Sequence, residues 1–342
     1  SDRGGLAVVS QSLELLSVYD NQTSPLEDLQ NNYFYFGVTG VSSDSEGNVY
    51  LAYNKSDKPL KVLLKSGTWI EIQFSDAALT QPKTGDLLLL SNGFVVMTIV
   101  DIGILVYDFN GTPEKIQDDQ YRLLTSSSTE GALPSGQVVC FVEDSDNELW
   151  IGTAEGIGII YSTSSIFTTG FDGAQKVIVN QDGYNGYLFE TESVEAIAVD
   201  GANRKWIGTF GSGVFLVSQD GTNQIHSFNL DNSPLFDNKI QDIAIHPTTG
   251  EVFISSEKGL VSYRSDATKA TTTLENIKVF PNPVKPGYSG NIAITNITED
   301  AYVRICDIAG SILFEGPSLG GQAMWNGRDE RGQRVNSGVY LV

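Results

Sequence analysis

The sequence has few histidines, cysteines and basic residues. Its 342 residues include 2 His and 2 Cys, and 21 Lys and Arg stand against 42 Asp and Glu, which gives a formal net charge of -21 at pH 7. A chain this acidic repels phosphate backbones, which excludes nucleic acid as a partner. Neither His226 nor His246 lies in a local pattern that suggests a Ser-His-Asp or Cys-His catalytic set. We therefore expect binding rather than catalysis, and no cofactor.

Long apolar runs are also lacking. No hydrophobic stretch approaches the roughly 20 residues of a membrane-spanning helix, so no transmembrane segment is predicted. Cys140 and Cys306 fall in different predicted domains, each within an apolar stretch. Two buried free thiols are therefore expected rather than a disulfide.

A repeat is present instead. A short apolar strand, a polar turn and a second strand that begins with a large apolar residue recur five times, with spacings of 45 to 56 residues. This period suits a four-stranded blade of a β-propeller. The sequence therefore predicts an all-β fold with at least five recognisable blades. Equivalent positions in the second strands are Tyr50, Val95, Trp150, Trp206 and Phe253.

The same pattern of strands predicts that the first repeat is incomplete. Residues 4–9 have the character of a third strand, led by Gly4 and Gly5, with no first or second strand before it. The propeller is therefore predicted to begin in the middle of a blade, with its N-terminal part truncated. Trp150 and Trp206 recur at one repeat position, so we expect them to pack between blades rather than to stack on ligands.

The composition changes near residue 265. Residues 265–273 are rich in Ser and Thr, which is typical of a linker. Residues 274–342 alternate short apolar runs with Pro and Gly turns, the pattern of a small immunoglobulin-like β-sandwich. We therefore predict a propeller over residues 1–264, a linker over 265–273, and a sandwich over 274–342 whose last strand is incomplete.

Four ordered motifs in this tail resemble the C-terminal sorting domain of type IX secretion substrates. They are VFPNPV at 279–284, VRICDIAG at 303–310, GGQAMWNGRD at 320–329 and GQRVNSGVYLV at 332–342. The resemblance implies a sandwich that directs the protein to this secretion system. Its motif residues are Pro281, Asn282, Pro283, Gly310, Trp325, Gly327, Gly338 and Tyr340.

The W-I-G-T repeats resemble the propeller repeats in the sensor halves of hybrid two-component regulators. A propeller of this kind joined to a sorting tail is similar to the PorZ-like surface components of the type IX secretion system. The resemblance implies a non-enzymatic scaffold on the surface of a Gram-negative bacterium, associated with the outer membrane. It also implies the sortase PorU, PorV and PorQ as partners, and recognition of anionic lipopolysaccharide. The alternatives are an extracellular propeller sensor and a glycan-binding or polysaccharide-active protein secreted by the same system.

Two groups of charged residues are candidate binding sites. From Glu275 onward, 6 basic residues nearly balance 7 acidic ones, so the tail repels an anionic glycan less than the acidic propeller does. The candidate anion-binding residues are Arg304, Arg328, Arg331 and Arg334.

The second group is a weak candidate for a calcium site. Asp144, Asp146 and Glu148 alternate as calcium ligands do, but they occupy a predicted hairpin turn and lack the Gly and bidentate Glu of an EF-hand. We favour a turn without metal. Calcium titration followed by thermal melting distinguishes the two interpretations.

Overall fold

The protein is described by a computed structural model, which covers residues 5–10, 12–26, 37–181 and 184–342. Regular structure in these residues consists of 28 β-strands and three short 3-10 helices at Ala77–Leu79, Ile116–Asp118 and Thr163–Ser165. The prediction of an all-β chain is confirmed. The chain divides into two compact units, Ser1–Val194 and Glu195–Val342.

The first unit is made of consecutive antiparallel sheets. Its strands are β1 (Leu6–Val9), β2 (Leu15–Tyr19), β3 (Val38–Ser43), β4 (Val49–Tyr53), β5 (Leu60–Leu63), β6 (Trp69–Ile72), β7 (Thr84–Leu89), β8 (Val95–Ile99), β9 (Gly103–Asp108), β10 (Gln120–Thr125), β11 (Val138–Glu143), β12 (Leu149–Thr153), β13 (Gly156–Ile160), β14 (Ile178–Gln181) and β15 (Tyr184–Tyr187). The orders are β3-β4-β5-β6, β7-β8-β9-β10 and β11-β12-β13, with β1–β2 and β14–β15 as two-stranded sheets. Gly4, the first residue of the strand predicted over residues 4–9, lies outside the described residues.

The second unit contains two further sheets of the same kind and the tail. Its strands are β16 (Val194–Val199), β17 (Lys205–Thr209), β18 (Val214–Val217), β19 (Gln224–Phe228), β20 (Ile240–Ile245), β21 (Glu251–Ser256), β22 (Gly259–Arg264), β23 (Lys278–Phe280), β24 (Ile292–Thr295), β25 (Tyr302–Asp307), β26 (Ile312–Pro317), β27 (Gln322–Trp325) and β28 (Tyr340–Leu341). The orders are β16-β17-β18-β19 and β20-β21-β22, and the tail has two sheets, β23-β24-β27 and β26-β25-β28.

The repeat has two features at the contact between consecutive sheets, a β-bulge in the first strand and a glycine in the second. In four sheets the register between the first two strands shifts near the start of the first strand, just after Val38, Thr84, Val138 and Ile240. Such bulges increase the local twist of a strand. In the second unit, a Cβ at Gly208 would lie 2.6 Å from Cγ2 of Ile240. The small third residue of the W-I-G-T motif therefore lets the next sheet approach closely.

Separate apolar cores lie between neighbouring sheets. One joins the sheets of β3–β6 and β7–β10, a second joins β7–β10 and β11–β13, and a third joins β16–β19 and β20–β22. The tail has a core of its own around Trp325. Trp150 and Trp206 are fully buried, and the Trp206 ring stacks on Phe228 with 6.1 Å between centroids. Within each unit, this burial between consecutive sheets is typical of propeller blades.

The strand prediction differs from the structure in some elements, and the predicted burial of the two cysteines is wrong. The β14–β15 hairpin was not predicted, and the sheets of β11–β13 and β20–β22 have three strands rather than four. Cys140 and Cys306 are free thiols, but both are partly exposed rather than buried. Cys140 Sγ lies 3.7 Å from the carbonyl oxygen of Val194, near the edge of a sheet rather than in its centre.

Candidate functional site

An aspartate organises the first hairpin turn in three of the repeats. Oδ1 of Asp44 accepts hydrogen bonds from the backbone N–H groups of Glu46 and Asn48, at 3.0 and 2.8 Å. Asp144 and Asp200 make the same pair of bonds to the residues two and four positions later, at 2.9 to 3.0 Å. Short polar side chains stabilise turns in this way.

The second oxygen of the turn aspartate reaches the aromatic residue six positions later. Oδ2 of Asp44 accepts a bond from the Tyr50 hydroxyl at 3.2 Å, and Oδ2 of Asp144 accepts one from Nε1 of Trp150 at 3.1 Å. Burial raises the pKa of Tyr50 well above its ordinary value, and the charge of Asp44 raises it further. Each aspartate thus ties its turn to a buried ring of the same repeat.

This geometry bears on the candidate calcium ligands Asp144, Asp146 and Glu148. The Asp144 carboxylate faces N–H donors from Asp146, Glu148 and Trp150, so a cation there would compete with three hydrogen bonds. Across the described part of the chain, no three His, Cys, Asp or Glu side chains are placed to hold a metal ion. The arrangement has the chemistry of a structural turn.

The third copy of the turn has a different partner. Arg204, which follows Asp200 by four residues, donates from Nε to Oδ2 of Asp200 at 2.8 Å, and Nη2 of Arg204 reaches Asp266 Oδ1 at 2.7 Å and Ser265 Oγ at 3.2 Å. Nε1 of Trp206 is buried without a hydrogen-bond partner. Asp200 therefore accepts a hydrogen bond from Arg204 rather than from the Trp206 indole. Arg204 in turn links the sheet to residues 265–266.

Residues 265–273, predicted as a linker, make an ordered junction. Ser265, Ala267 and Thr268 are buried. The backbone N–H of Ser265 bonds to the Gly250 carbonyl at 3.0 Å, while the N–H of Gly321 in the tail bonds to the Thr268 carbonyl at 2.7 Å. One face of the segment thus contacts the turns of the sheets, and the other contacts the tail.

Glycines allow this close contact. A Cβ at Gly201 would lie 1.9 Å from the carbonyl oxygen of Thr268, and one at Gly320 would lie 2.1 Å from the carbonyl oxygen of Gly201. Gly320 also has a positive φ of 58°. A larger residue at either position would force the tail away from the turn. The sequence contains no motif that marks this junction, apart from the four-residue spacing of Asp200 and Arg204.

The sorting-motif residues divide into a buried and an exposed group. Trp325 is 4% exposed, donates from Nε1 to the Arg328 carbonyl at 2.8 Å, and meets the Tyr340 ring edge-on at 5.6 Å between centroids. The Tyr340 hydroxyl donates to the Asn336 carbonyl. These contacts stabilise the core of the tail and hold its last strand. The motif glycines with positive φ are Gly310 and Gly327, and the exposed motif residues are Asn282, Pro283 and Gly338, with Pro281 partly exposed.

The four candidate arginines are not brought to one point. Arg328, Arg331 and Arg334 lie in a single hairpin, where Arg328 donates to the Gly332 carbonyl at 2.7 Å and Arg334 donates to the Tyr288 carbonyl. Arg304 lies on β25 and forms an ion pair with Glu315 at 3.0 Å. The hairpin therefore carries three guanidinium groups, and Arg304 stands apart with its charge balanced.

A cleft of about 530 Å³ adjoins this hairpin. Its charged lining residues are Arg328, Glu315, Asp329 and Glu330. Carboxylates outnumber the guanidinium group there, so the cleft itself disfavours an anion. An anionic ligand would meet the arginines from the outer side of the hairpin.

The contacts of the two histidines are with an aromatic ring and with a backbone N–H group. His226 lies against Phe228, with 5.8 Å between ring centroids, and Nδ1 of His246 accepts a bond from the backbone N–H of Thr249 at 3.3 Å. Neither contact places a nucleophile against an imidazole, as general-base catalysis requires. Within the described ranges, no helix has both the length and the apolar character to cross a bilayer.

Comparisons with known proteins agree with the repeat and with a propeller-like all-β fold. The profile of the two-component regulator propeller family matches residues 132–155, which contain the Trp150 repeat. No curated protein sequence matches the chain. Among solved structures, PorZ of Porphyromonas gingivalis aligns over 99% of this chain with a TM-score of 0.71 and 24% sequence identity. The chain is similar in fold to PorZ.

PorZ is described as an essential bacterial surface component of the type IX secretion system. The chain covers 46% of PorZ, so it spans less than half of that protein. A streptogramin B lyase aligns with a TM-score of 0.50 and 13% identity, over 76% of this chain and 72% of the lyase. PorZ and the lyase thus share a propeller-like fold with the chain while differing in function, because one fold can carry many activities.

Proposed function

We propose that the chain belongs to a non-enzymatic scaffold or recognition protein of type IX secretion, located on the cell surface and associated with the outer membrane. The observation that carries the proposal is the union of propeller-type sheets and a tail with ordered sorting-domain motifs, joined by a closely packed junction. The likeness of nearly the whole chain to the PorZ fold supports the same assignment. The lack of a catalytic constellation around the two histidines supports a binding role.

The proposal includes a specific architecture. Residues 1–264 contribute at least five blades of a propeller, and residues 274–342 form an immunoglobulin-like sandwich. The consecutive sheets with cores between them support the first part. The two facing sheets of the tail around Trp325 support the second. Residues 265–273 connect the two domains as a packed segment.

The proposed partners are the sortase PorU, PorV and PorQ, which act together in attaching secreted proteins to the surface. Deletion of the gene in its native bacterium tests this role. We expect type IX cargo to be secreted without attachment or to be retained, as in a strain that lacks the sortase. Normal surface attachment of cargo in the deletion strain would contradict the proposal.

Anionic lipopolysaccharide is the proposed glycan ligand, bound by the arginines of the tail. Arg331 is exposed in the hairpin that also holds Arg328 and Arg334, and these three charges stand within a nearly neutral domain. Arg304 contributes less because Glu315 balances its charge.

Single substitutions separate these contributions. We expect Arg331→Gln to weaken binding of purified anionic lipopolysaccharide several-fold, and the matched control Arg304→Gln to change it little. Calorimetry at low and high salt provides the measurement, since charge-dependent binding weakens with salt. Equal affinity of the wild type and a variant with all four arginines replaced would exclude the tail as the binding site.

An extracellular propeller sensor is a second candidate, favoured by the family profile over residues 132–155. A glycan-binding protein secreted by the type IX system is a variant of this role. The natural full-length protein distinguishes the candidates. A sensor is expected to co-purify with a membrane-spanning signalling chain, whereas a scaffold co-purifies with the attachment proteins.

A further inference from the structure

An exposed apolar patch lies at one end of the two repeat sheets of the second unit. Phe210 follows β17, Leu230 and Phe236 lie in the loop between β19 and β20, and Leu260 lies at the start of β22. These four side chains are 53%, 48%, 53% and 61% exposed, respectively. We call them the loop patch.

Contacts link the segments that carry the loop patch. Nζ of Lys239 lies 4.7 Å from the centre of the Phe210 ring and 2.6 Å from Oε1 of Glu257, which precedes Leu260 by three residues. The Phe236 ring packs on the backbone of Gly259, where a Cβ would lie 2.7 Å from the ring. The turn after β17, the β19–β20 loop and the start of β22 therefore lie next to one another.

The same contacts hold the patch in a fixed shape. Asn238 accepts a bond from the N–H of Gly213 at 3.1 Å through its carbonyl, and its side-chain oxygen accepts one from the N–H of Leu230 at 2.8 Å. Lys258 forms an ion pair with Asp237 at 2.8 Å. A pre-organised surface loses less entropy on binding than a mobile one. Large apolar side chains that are held in the open in this way are typical of an interface.

The rim of the patch determines what kind of partner fits. Both rim lysines are neutralised, Lys239 by Glu257 and Lys258 by Asp237. Glu195 also acts on Lys239, since its charge helps to raise the pKa of that lysine. With Asp231 in the same loop, acidic groups exceed basic ones around the patch, and the whole chain has a net charge of -21. Anionic lipid and phosphate-bearing glycan surfaces are therefore repelled.

We propose that the loop patch is a docking surface for a protein with an apolar centre and a rim of Lys or Arg. Phe210 and Phe236 are the anchors that such a partner would cover, and the acidic rim would fix its orientation and speed its association. The inference rests on the proposed scaffold role and names the surface through which that role is carried out. It places the docking surface at the end of the sheets opposite the turns that contact the tail.

Site-specific photo-crosslinking in the native bacterium tests the proposal. Phe236 of the natural full-length protein is replaced by p-benzoylphenylalanine, and crosslinked peptides are identified by mass spectrometry. The matched control places the same probe at Ile225, an exposed apolar residue on β19. The proposal requires crosslinks from Phe236 to a peptide of another protein that has apolar and basic residues, with at least about tenfold lower yield from Ile225.

Two further variants test the chemistry. The double variant Phe210→Ser with Leu260→Ser should lower the crosslink yield from Phe236 at least about tenfold. Glu257→Gln should lower this yield at low salt, and the difference from the wild type should disappear at high salt. Equal yields at Phe236 and Ile225, or crosslinks to lipid or glycan instead of peptide, would overturn the proposal. If PorU, PorV and PorQ co-purify equally with the wild type and the double variant, the scaffold role stands and the loop patch is rejected. If none co-purifies with the wild type, the scaffold role itself fails.

Discussion

Trp150 and Trp206 occupy the same repeat position but differ in one hydrogen bond. Trp150 donates to Asp144, whereas the indole N–H of Trp206 is buried without a partner because Arg204 occupies the equivalent aspartate. The sequence predicted that both rings are buried, since they recur with the repeat. It could not predict this difference, which depends on a contact with residues 265–266 that are distant along the chain.

This difference predicts unequal effects of the same substitution. Trp150→Phe removes the indole N–H that donates to Asp144, while Trp206→Phe removes a buried donor that has no partner. We expect Trp150→Phe to cost about 1–2 kcal/mol more unfolding free energy than Trp206→Phe. Urea denaturation followed by circular dichroism gives both values. Equal losses would show that the Asp144 bond contributes little.

A buried lysine makes the first unit sensitive to acid. Lys61 is fully buried, and its Nζ lies 2.7 Å from Oε1 of Glu71. Burial alone would raise the pKa of Glu71, but its hydrogen bonds with Lys61 and Lys58 bring the pKa below the ordinary value of 4.5. A carboxyl group with a lowered pKa in the folded state contributes stability above its unfolded pKa, and this contribution is lost as pH falls through the folded pKa.

We therefore expect Glu71→Gln to destabilise the protein at neutral pH and to have a smaller effect as pH falls below 4.5. The measurement is the free energy of unfolding of both proteins at a series of pH values from neutral to acidic. Asp57, an exposed residue of the same unit, provides a control substitution to Asn. A difference between wild type and Glu71→Gln that does not change with pH would contradict the role of this ion pair.

The repeat sheets and the tail strands are the elements that the sequence predicted best. Alternating apolar residues and turn signals are local, so the second strands of the five repeats were placed correctly, and the tail was correctly predicted to consist of short strands. The β14–β15 hairpin was missed although Asp182-Gly183 is a hairpin signal in the sequence. The junction at 265–273 was not recognised because its Ser and Thr residues have linker composition, and their burial depends on tertiary contacts.

The close contact between Gly201 and Thr268 predicts that adding one methyl group at Gly201 strongly lowers stability. Gly201→Ala would place a Cβ 1.9 Å from the Thr268 carbonyl, whereas Gly211→Ala meets nothing within 4 Å. We expect Gly201→Ala to lower stability by about 1–3 kcal/mol and to expose residues 265–273 to protease. Gly211→Ala is the matched control and should leave both unchanged. Proteolysis at the same rate in the two variants would show that the segment is not held by this contact.

The candidate sites also show where sequence reasoning reaches its limit. Arg328, Arg331 and Arg334 are close in sequence and share one hairpin, so their grouping could be predicted. Arg304 belongs to another sheet and is paired with Glu315, which only the strand register reveals. The loop patch combines Phe210, Phe236 and Leu260 from three loops. No local pattern marks such a surface, since its residues come together only through the packing of two sheets.

At the scale of the whole molecule, charge and fold favour protein partners. The acidic repeat sheets disfavour anionic surfaces, and the tail is nearly neutral. Under the proposed function, a chain with this distribution binds proteins through its sheets, and its tail is the proposed link to the secretion system. The likeness to the PorZ fold extends over both parts.

The most direct test of this account is affinity purification of the natural full-length protein from outer membranes of its own bacterium, with an untagged strain as control. Quantitative mass spectrometry measures the recovered proteins. The account predicts that PorU, PorV and PorQ are all enriched over the control. Recovery of none of these three, with enrichment of a membrane-spanning signalling chain instead, would contradict the scaffold role and favour the sensor.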